Sequence, residues 1–164
     1  MRAQFRTRTL LICMAVIAVA VAISIRLIPR QPLVWNAYTS TSLQEAFDKK
    51  QSVLISLSAN WAINGMIHER TAIKSATAID TIRYSGLQTL RADMTNLDPA
   101  AVQLAKDNGL ITIPAFLNYN PDFPSDPIVL KDLVSEDQLL AAIRYNSQRS
   151  QNNGMDATGS IDRF

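Results

Sequence analysis

The chain has 164 residues, with 16 Lys and Arg against 14 Asp and Glu for a net charge of +2, one histidine and one cysteine. That length holds one domain of ordinary size plus attachments. Basic residues are scattered beyond an N-terminal cluster, so no nucleic-acid surface is indicated, and Cys13 alone excludes an intrachain disulfide, a cysteine-rich zinc site and an iron–sulfur cluster held by this chain.

Leu10–Ile25 is apolar apart from Ser24, and Leu27-Ile28 extend the run past Arg26. A helix of about 20 residues crosses the hydrocarbon core, and residues 9–28 meet that length if Arg26 snorkels. Arg2, Arg6 and Arg8 precede the segment, so the positive-inside rule keeps residues 1–8 in the cytoplasm and exports the globular part to the periplasmic or extracytoplasmic side. The competing reading is a cleaved signal peptide with Ala20-Val21-Ala22 at the cleavage site. The apolar run continues through Ile23 and Ile25 without a polar break, which favours an uncleaved signal anchor. Cys13 reads as a small apolar residue of that helix.

Pro29–Pro32 form a stiff exit, and Val34–Tyr38 is a first strand or extended arm. Ser42 and Glu45 have capping-box spacing and predict a helix over Leu43–Lys50. Val53–Ala59 is a nearly continuous apolar run, as expected of a central strand buried on both faces. A helix is expected from Ile63 to Lys74 and another over Ala76–Tyr84. Leu87–Asp93 alternates as a strand. Asp98-Pro99 opens a helix that Gly109 closes after Asn108. Leu110–Tyr119 reads as a strand, Asn120–Pro127 as a proline-rich turn, and Ile128–Leu130 as a short antiparallel partner. Ser135 and Gln138 form a second capping box, and the helix it opens carries Leu139, Leu140, Ile143 and Tyr145. From Arg149 no apolar periodicity remains, and residues 149–164 are expected to be a disordered polar tail. The order β-α-β-α-β-α-β-β-α predicts an α/β fold, a central mixed sheet flanked by helices.

Three stretches resemble the thioredoxin-like superfamily, in particular the C-terminal periplasmic domain of DsbD-type thiol:disulfide interchange proteins. Val53–Trp61 is similar to the strand before the redox motif, Arg91–Pro99 (R-A-D-M-T-N-L-D-P) to the central strand and its Ala-Asp-x-Thr exit, and Gly109–Phe116 to the approach to the family's cis-proline. The resemblance spans about residues 33–146 and implies a thioredoxin-like fold for a domain at 29–148.

The departures from that family matter as much. The resemblance puts the attacking thiolate immediately after Trp61, where a helix N-terminus activates it; the residue is Ala62. The resolving thiol three positions on is Gly65, and the buried carboxylate that accepts a proton in many relatives is Ser56. With all three degenerate, thiol–disulfide exchange has no sulfur nucleophile, and the chain is expected not to be an enzyme. The residues give no alternative chemistry. His68 and Glu69 are consecutive on a predicted helix and point about 100° apart, Asn64 suits a turn beside Gly65, and Asp93 and Asp98 read as a strand end and a helix cap. No metal, cofactor or nucleic-acid partner is expected.

The family instead implies a surface. Trp61 sits on its rim, and the backbone before the proline pairs with an extended peptide. The expected groove is Trp61, Ala62, Ile63, Ile113 and Pro114, with packing deciding whether Pro114 is cis. The expected function is a membrane-anchored, redox-inactive interaction or assembly module with an exported or membrane protein as partner. Alternatives are a non-catalytic docking component of a thiol redox relay whose partner supplies the cysteines, or a spacer oligomerised through Ala15, Ala18 and Ala22.

Overall fold

The computed structural model describes residue 14, residues 32–62, 72, 73 and 75–158, with side chains described up to residue 151. The chain divides between Pro32 and Leu33, and the second unit carries the fold. Its elements are β1 Asn36–Ala37, α1 Ser40–Asp48, β2 Val53–Ser58, α2 Ala76–Tyr84, β3 Gln88–Asp93, α3 Pro99–Asp107, β4 Ala115–Asn120, β5 Phe123–Lys131 and α4 Glu136–Thr158. Among the described residues no helix is long and apolar enough to cross a membrane. The expected anchor at 9–28 lies outside them apart from Met14, as does the expected helix from Ile63 apart from Ala72 and Ile73.

The five strands form one mixed sheet in the order β1-β3-β2-β4-β5. β1 and β2 run parallel to β3, and β4 lies antiparallel to both β2 and β5. Because side chains alternate along a strand, β2 feeds two cores. Val53, Ile55 and Leu57 meet Ala46 of α1 and Ala101, Leu104 and Ala105 of α3 on one face. Leu54 meets Ile82 of α2, Phe116 of β4 and Leu139 and Ile143 of α4 on the other. Burial on both faces explains why β2 reads as one apolar run rather than an alternating one.

Four expectations are corrected. The box that opens α1 is one turn earlier than Ser42 and Glu45: Thr39 Oγ1 accepts from the Ser42 amide, and Ser42 Oγ accepts from the Thr39 amide, both at 2.9 Å. Leu110–Pro114 is not strand; the Leu110 amide bonds Ala105 O at 2.8 Å, finishing α3, and β4 begins only at Ala115. Asn120–Pro127 is not one turn, because β5 already starts at Phe123. As an edge strand it tolerates Pro124 and Pro127, whose missing N–H groups need no neighbour, and the reversal is confined to Pro121-Asp122, where the Asp122 amide bonds Asn120 Oδ1 at 3.0 Å.

The last correction concerns the tail: residues 149–158 are helical. Arg149 pairs with Asp126 at 2.6 Å and lies over the Phe123 ring, and Ser150 Oγ donates to Asn120 Oδ1 at 3.1 Å. These contacts replace the missing apolar periodicity, and a helix already nucleated extends at little cost per residue. The expected tail at 159–164 lies outside the described residues. The Ser135–Gln138 box is formed in both directions, at 2.9 and 3.3 Å.

α4 is fastened to the sheet by amides. Asn118, Asn120 and Asn146 are all buried. Asn118 Nδ2 donates to Ala142 O at 3.3 Å, and Asn120 Nδ2 to Asn146 O and Ser150 Oγ, each at 2.8 Å. Asn146 Nδ2 returns bonds to Asn118 Oδ1 at 3.0 Å and Asn118 O at 3.3 Å. Burial of these groups is tolerated because the amides satisfy most of one another's bonding capacity, Asn146 Oδ1 being the one buried side-chain oxygen without a partner among the described residues.

Candidate functional site

β2 and β3 run parallel and end side by side, Ser58 opposite Asp93, while antiparallel β4 starts at that same end, Ala115 opposite Leu57. Topology therefore gathers three connections at one end of the sheet: the exit of β2 with Trp61 and Ala62, the exit of β3 at Met94–Leu97, and the entry to β4 through Ile113-Pro114. The chain enters the unit at the opposite end, since β1 runs parallel to β3.

Trp61 is 59% exposed. Its indole Nε1 donates to Thr95 O at 3.3 Å, and the amide of the preceding Asn60 donates to Thr95 Oγ1 at 2.9 Å. Thr95 is in turn held by Asp93, whose Oδ1 accepts from the Thr95 amide at 2.8 Å and from the Thr95 hydroxyl. The Met94 amide bonds Ser58 O at 2.8 Å, and the Ala62 amide closes a turn onto Ala59 O at 3.1 Å. Of the other groove residues, Ala62 and Ile113 are half-buried and Pro114 is buried, with Ile113 packed against the core shared by α1 and α3. The Ile113–Pro114 peptide is cis. Ile113 also stands just outside the β2–β4 ladder.

Trp61, Ala62, Ile113 and Pro114 thus share one end of the sheet, whereas Ile63 and the degenerate redox position Gly65 lie outside the described residues, as do Asn64, His68, Glu69 and Arg70. Ser56 is fully buried in mid-strand, opposite Phe116 and Arg91. Asp98 caps α3 with its carboxylate on the Ala101 amide at 3.4 Å, and Asp93 is bound to Thr95, so each aspartate has a structural task.

Thr95 was read from sequence only as the end of the Ala-Asp-x-Thr exit and not as part of the site. The signal was present in Asp93-x-Thr95, since an aspartate commonly bonds the backbone two residues on. Both bonds from Thr95 favour the ionised carboxylate, and Arg91 adds to them, so the Asp93 pKa lies below its ordinary 3.8. A depressed carboxylate pKa gives stability that is present above the unfolded value and lost as pH falls through the folded one. The site is therefore expected to stay intact from pH 7 down to about pH 5. A carbon-detected NMR titration of Asp93 should place its midpoint below 3.8; a midpoint at or above that value would refute the assignment.

No protein-family model and no curated protein sequence matches the chain. Solved structures do match. The C-terminal domain of Neisseria meningitidis DsbD in its oxidised form aligns at 18% identity with a TM-score of 0.53, over 69% of this chain and 99% of that one. A Thermus thermophilus thioredoxin aligns at 12% identity and 0.58, over 81% and 98%. Malassezia sympodialis thioredoxin Mala s 13 aligns at 19% identity and 0.54, over 74% and 96%. At these identities the likeness is one of fold, and the fold is thioredoxin-like.

Proposed function

We propose that this thioredoxin-like chain is a redox-inactive interaction module, anchored in the membrane by residues 9–28, that receives an extended polypeptide segment of an exported or membrane protein. The observation that carries the reading is the end of the sheet itself. A tethered, exposed Trp61 shares that end with Ile113, whose backbone lies just outside the ladder and has no strand partner among the described residues, which supports strand addition there. Exposed aromatics are enriched in binding surfaces. Loss of redox chemistry rests on sequence: Ala62 follows Trp61, Gly65 stands three residues on, and the one cysteine is Cys13. The apolar run at 10–25 with Arg2, Arg6 and Arg8 before it supports the anchor and the exported orientation. Anchoring raises the effective concentration of the module for partners at the membrane.

Docking within a thiol redox relay, with the partner supplying both cysteines, is the second reading; the fold likeness to a DsbD domain favours it. Two measurements on the full chain test the proposal. Insulin reduction by dithiothreitol should not be accelerated, and turnover above the uncatalysed rate would end the redox-inactive reading. A photoreactive residue at Ala62 or Ile113 should crosslink to a polypeptide in intact cells through an unstructured or edge-strand segment. Capture only through residues 9–28 would end the groove reading, and a captured partner with a Cys-x-x-Cys pair would favour the relay.

A further inference from the structure

We infer that Thr95 is the positioning residue of this site: its hydroxyl and carbonyl, oriented by the Asp93 carboxylate, set the pose in which the Trp61 indole is presented. The inference rests on the interaction reading above for its functional meaning, but its physical content is independent of any occupant.

The direction of each hydrogen bond carries the argument. A threonine hydroxyl has one hydrogen and two acceptor lone pairs. The ionised Asp93 carboxylate only accepts, so the Thr95 hydrogen goes to Asp93 Oδ1. The Thr95 oxygen is then left as an acceptor, and it takes the Asn60 amide at 2.9 Å. The Thr95 amide is also committed to Asp93, at 2.8 Å, which fixes the peptide plane that follows the strand and with it the residue's orientation. The Thr95 carbonyl then receives the Trp61 indole N–H at 3.3 Å. Two consecutive residues leaving β2 are thereby docked on one residue leaving β3, across 35 and 34 positions of sequence.

A single exposed hydrogen bond contributes little by itself, and an exposed tryptophan held by one bond would sample several rotamers. The Asn60 bond removes much of that freedom by fixing the backbone one residue before the side chain. Charge on Asp93 strengthens both bonds to Thr95. An ordered aromatic face gains affinity because its rotamers are restricted before an occupant arrives. Asp93 acts on Trp61 only through Thr95, so it too is a positioning residue.

The test uses the full chain with Trp35→Phe, which leaves Trp61 as the remaining tryptophan of the two. Thr95→Val keeps the shape and the carbonyl but removes the hydroxyl; Thr95→Ser retains it. Thr95→Val is expected to red-shift Trp61 emission, speed its local depolarisation, and lower indole N–H exchange protection by up to about tenfold, the scale of one hydrogen bond. Thr95→Ser is expected to restore all three. Unchanged emission and depolarisation in Thr95→Val, or a Thr95→Ser chain that behaves like it, overturns the inference. If Thr95→Val unfolds, the indole N–H resonance of the parent chain decides: temperature and exchange behaviour of a free, fully solvated indole overturns the inference, and protection supports it. Failure of crosslinking at Ala62 with these optical effects intact sinks the interaction reading alone.

Discussion

Phe116→Ala is expected to lower the free energy of unfolding by about 3–5 kcal/mol, the range for removing a large buried aromatic. Phe116 lies on the interior strand β4, paired with Ser56 of β2 and Leu130 of β5, and is fully buried. It packs in the core that contains Leu54, Ile82, Leu139 and Ile143, so its ring joins the sheet to α2 and α4. β4 is hydrogen-bonded on both sides and has little room to collapse into the space left. Domains of this size have about 5–15 kcal/mol in all, so the variant is expected to be largely unfolded at moderate denaturant. Urea unfolding monitored by circular dichroism measures the loss; a change below about 1 kcal/mol would show that the site repacks around the missing ring.

Asn146→Ala should cost about 1–3 kcal/mol for a reason unrelated to volume: it strips a donor from a buried acceptor. Asn118 is 1% exposed, so its Oδ1 would lose the bond it receives at 3.0 Å with little access to solvent in exchange. The comparison that isolates this effect is Asn118→Leu with Asn146→Leu. Each single change leaves a buried polar partner behind, whereas the pair removes both and substitutes apolar groups of similar size. The double variant is expected to be less destabilised than the sum of the singles, with a coupling of about 0.5–3 kcal/mol. Strict additivity in a double-mutant cycle would mean that the two amides act independently.

How far the sequence reaches depends on the range of the interaction that decides each feature. β2 was legible because a short run with four apolar residues in six suffices to mark a doubly covered strand, and α2 because Ser85-Gly86 after it is a local break. Asp98-Pro99 opened α3 where its cap chemistry predicted. Local rules competed at α1, where Thr39 and Ser42 formed the box instead of Ser42 and Glu45. They failed at β5 and at the end of α4, where distant partners decide: β4 supplies the neighbour that makes Phe123-Pro124 a strand, and Asn120 and Asp126 hold Ser150 and Arg149. Of the expected groove residues, the family resemblance named Trp61, Ala62, Ile113 and Pro114, and the fold places these four at one end of the sheet. The tether on Thr95 spans more than thirty residues, and only its Asp93 half was within local reach.

The asparagine ladder between β4 and α4 has the geometry of a vernier. Asn118 and Asn120 are two residues apart on a strand, a step of about 6.8 Å, while positions 142, 146 and 150 recur every four residues along a helix, a step of about 6.0 Å. Two scales of slightly different pitch coincide over a short interval and then drift, by about 0.8 Å per mark. The two rungs observed fall within the tolerance of a hydrogen bond, and the drift limits how far such an arrangement extends. An axial slide of the helix by less than a full step brings no mark into coincidence. The helix is thereby indexed along its own axis to a single setting, a task that the smooth apolar contacts of Leu139 and Ile143 do not perform.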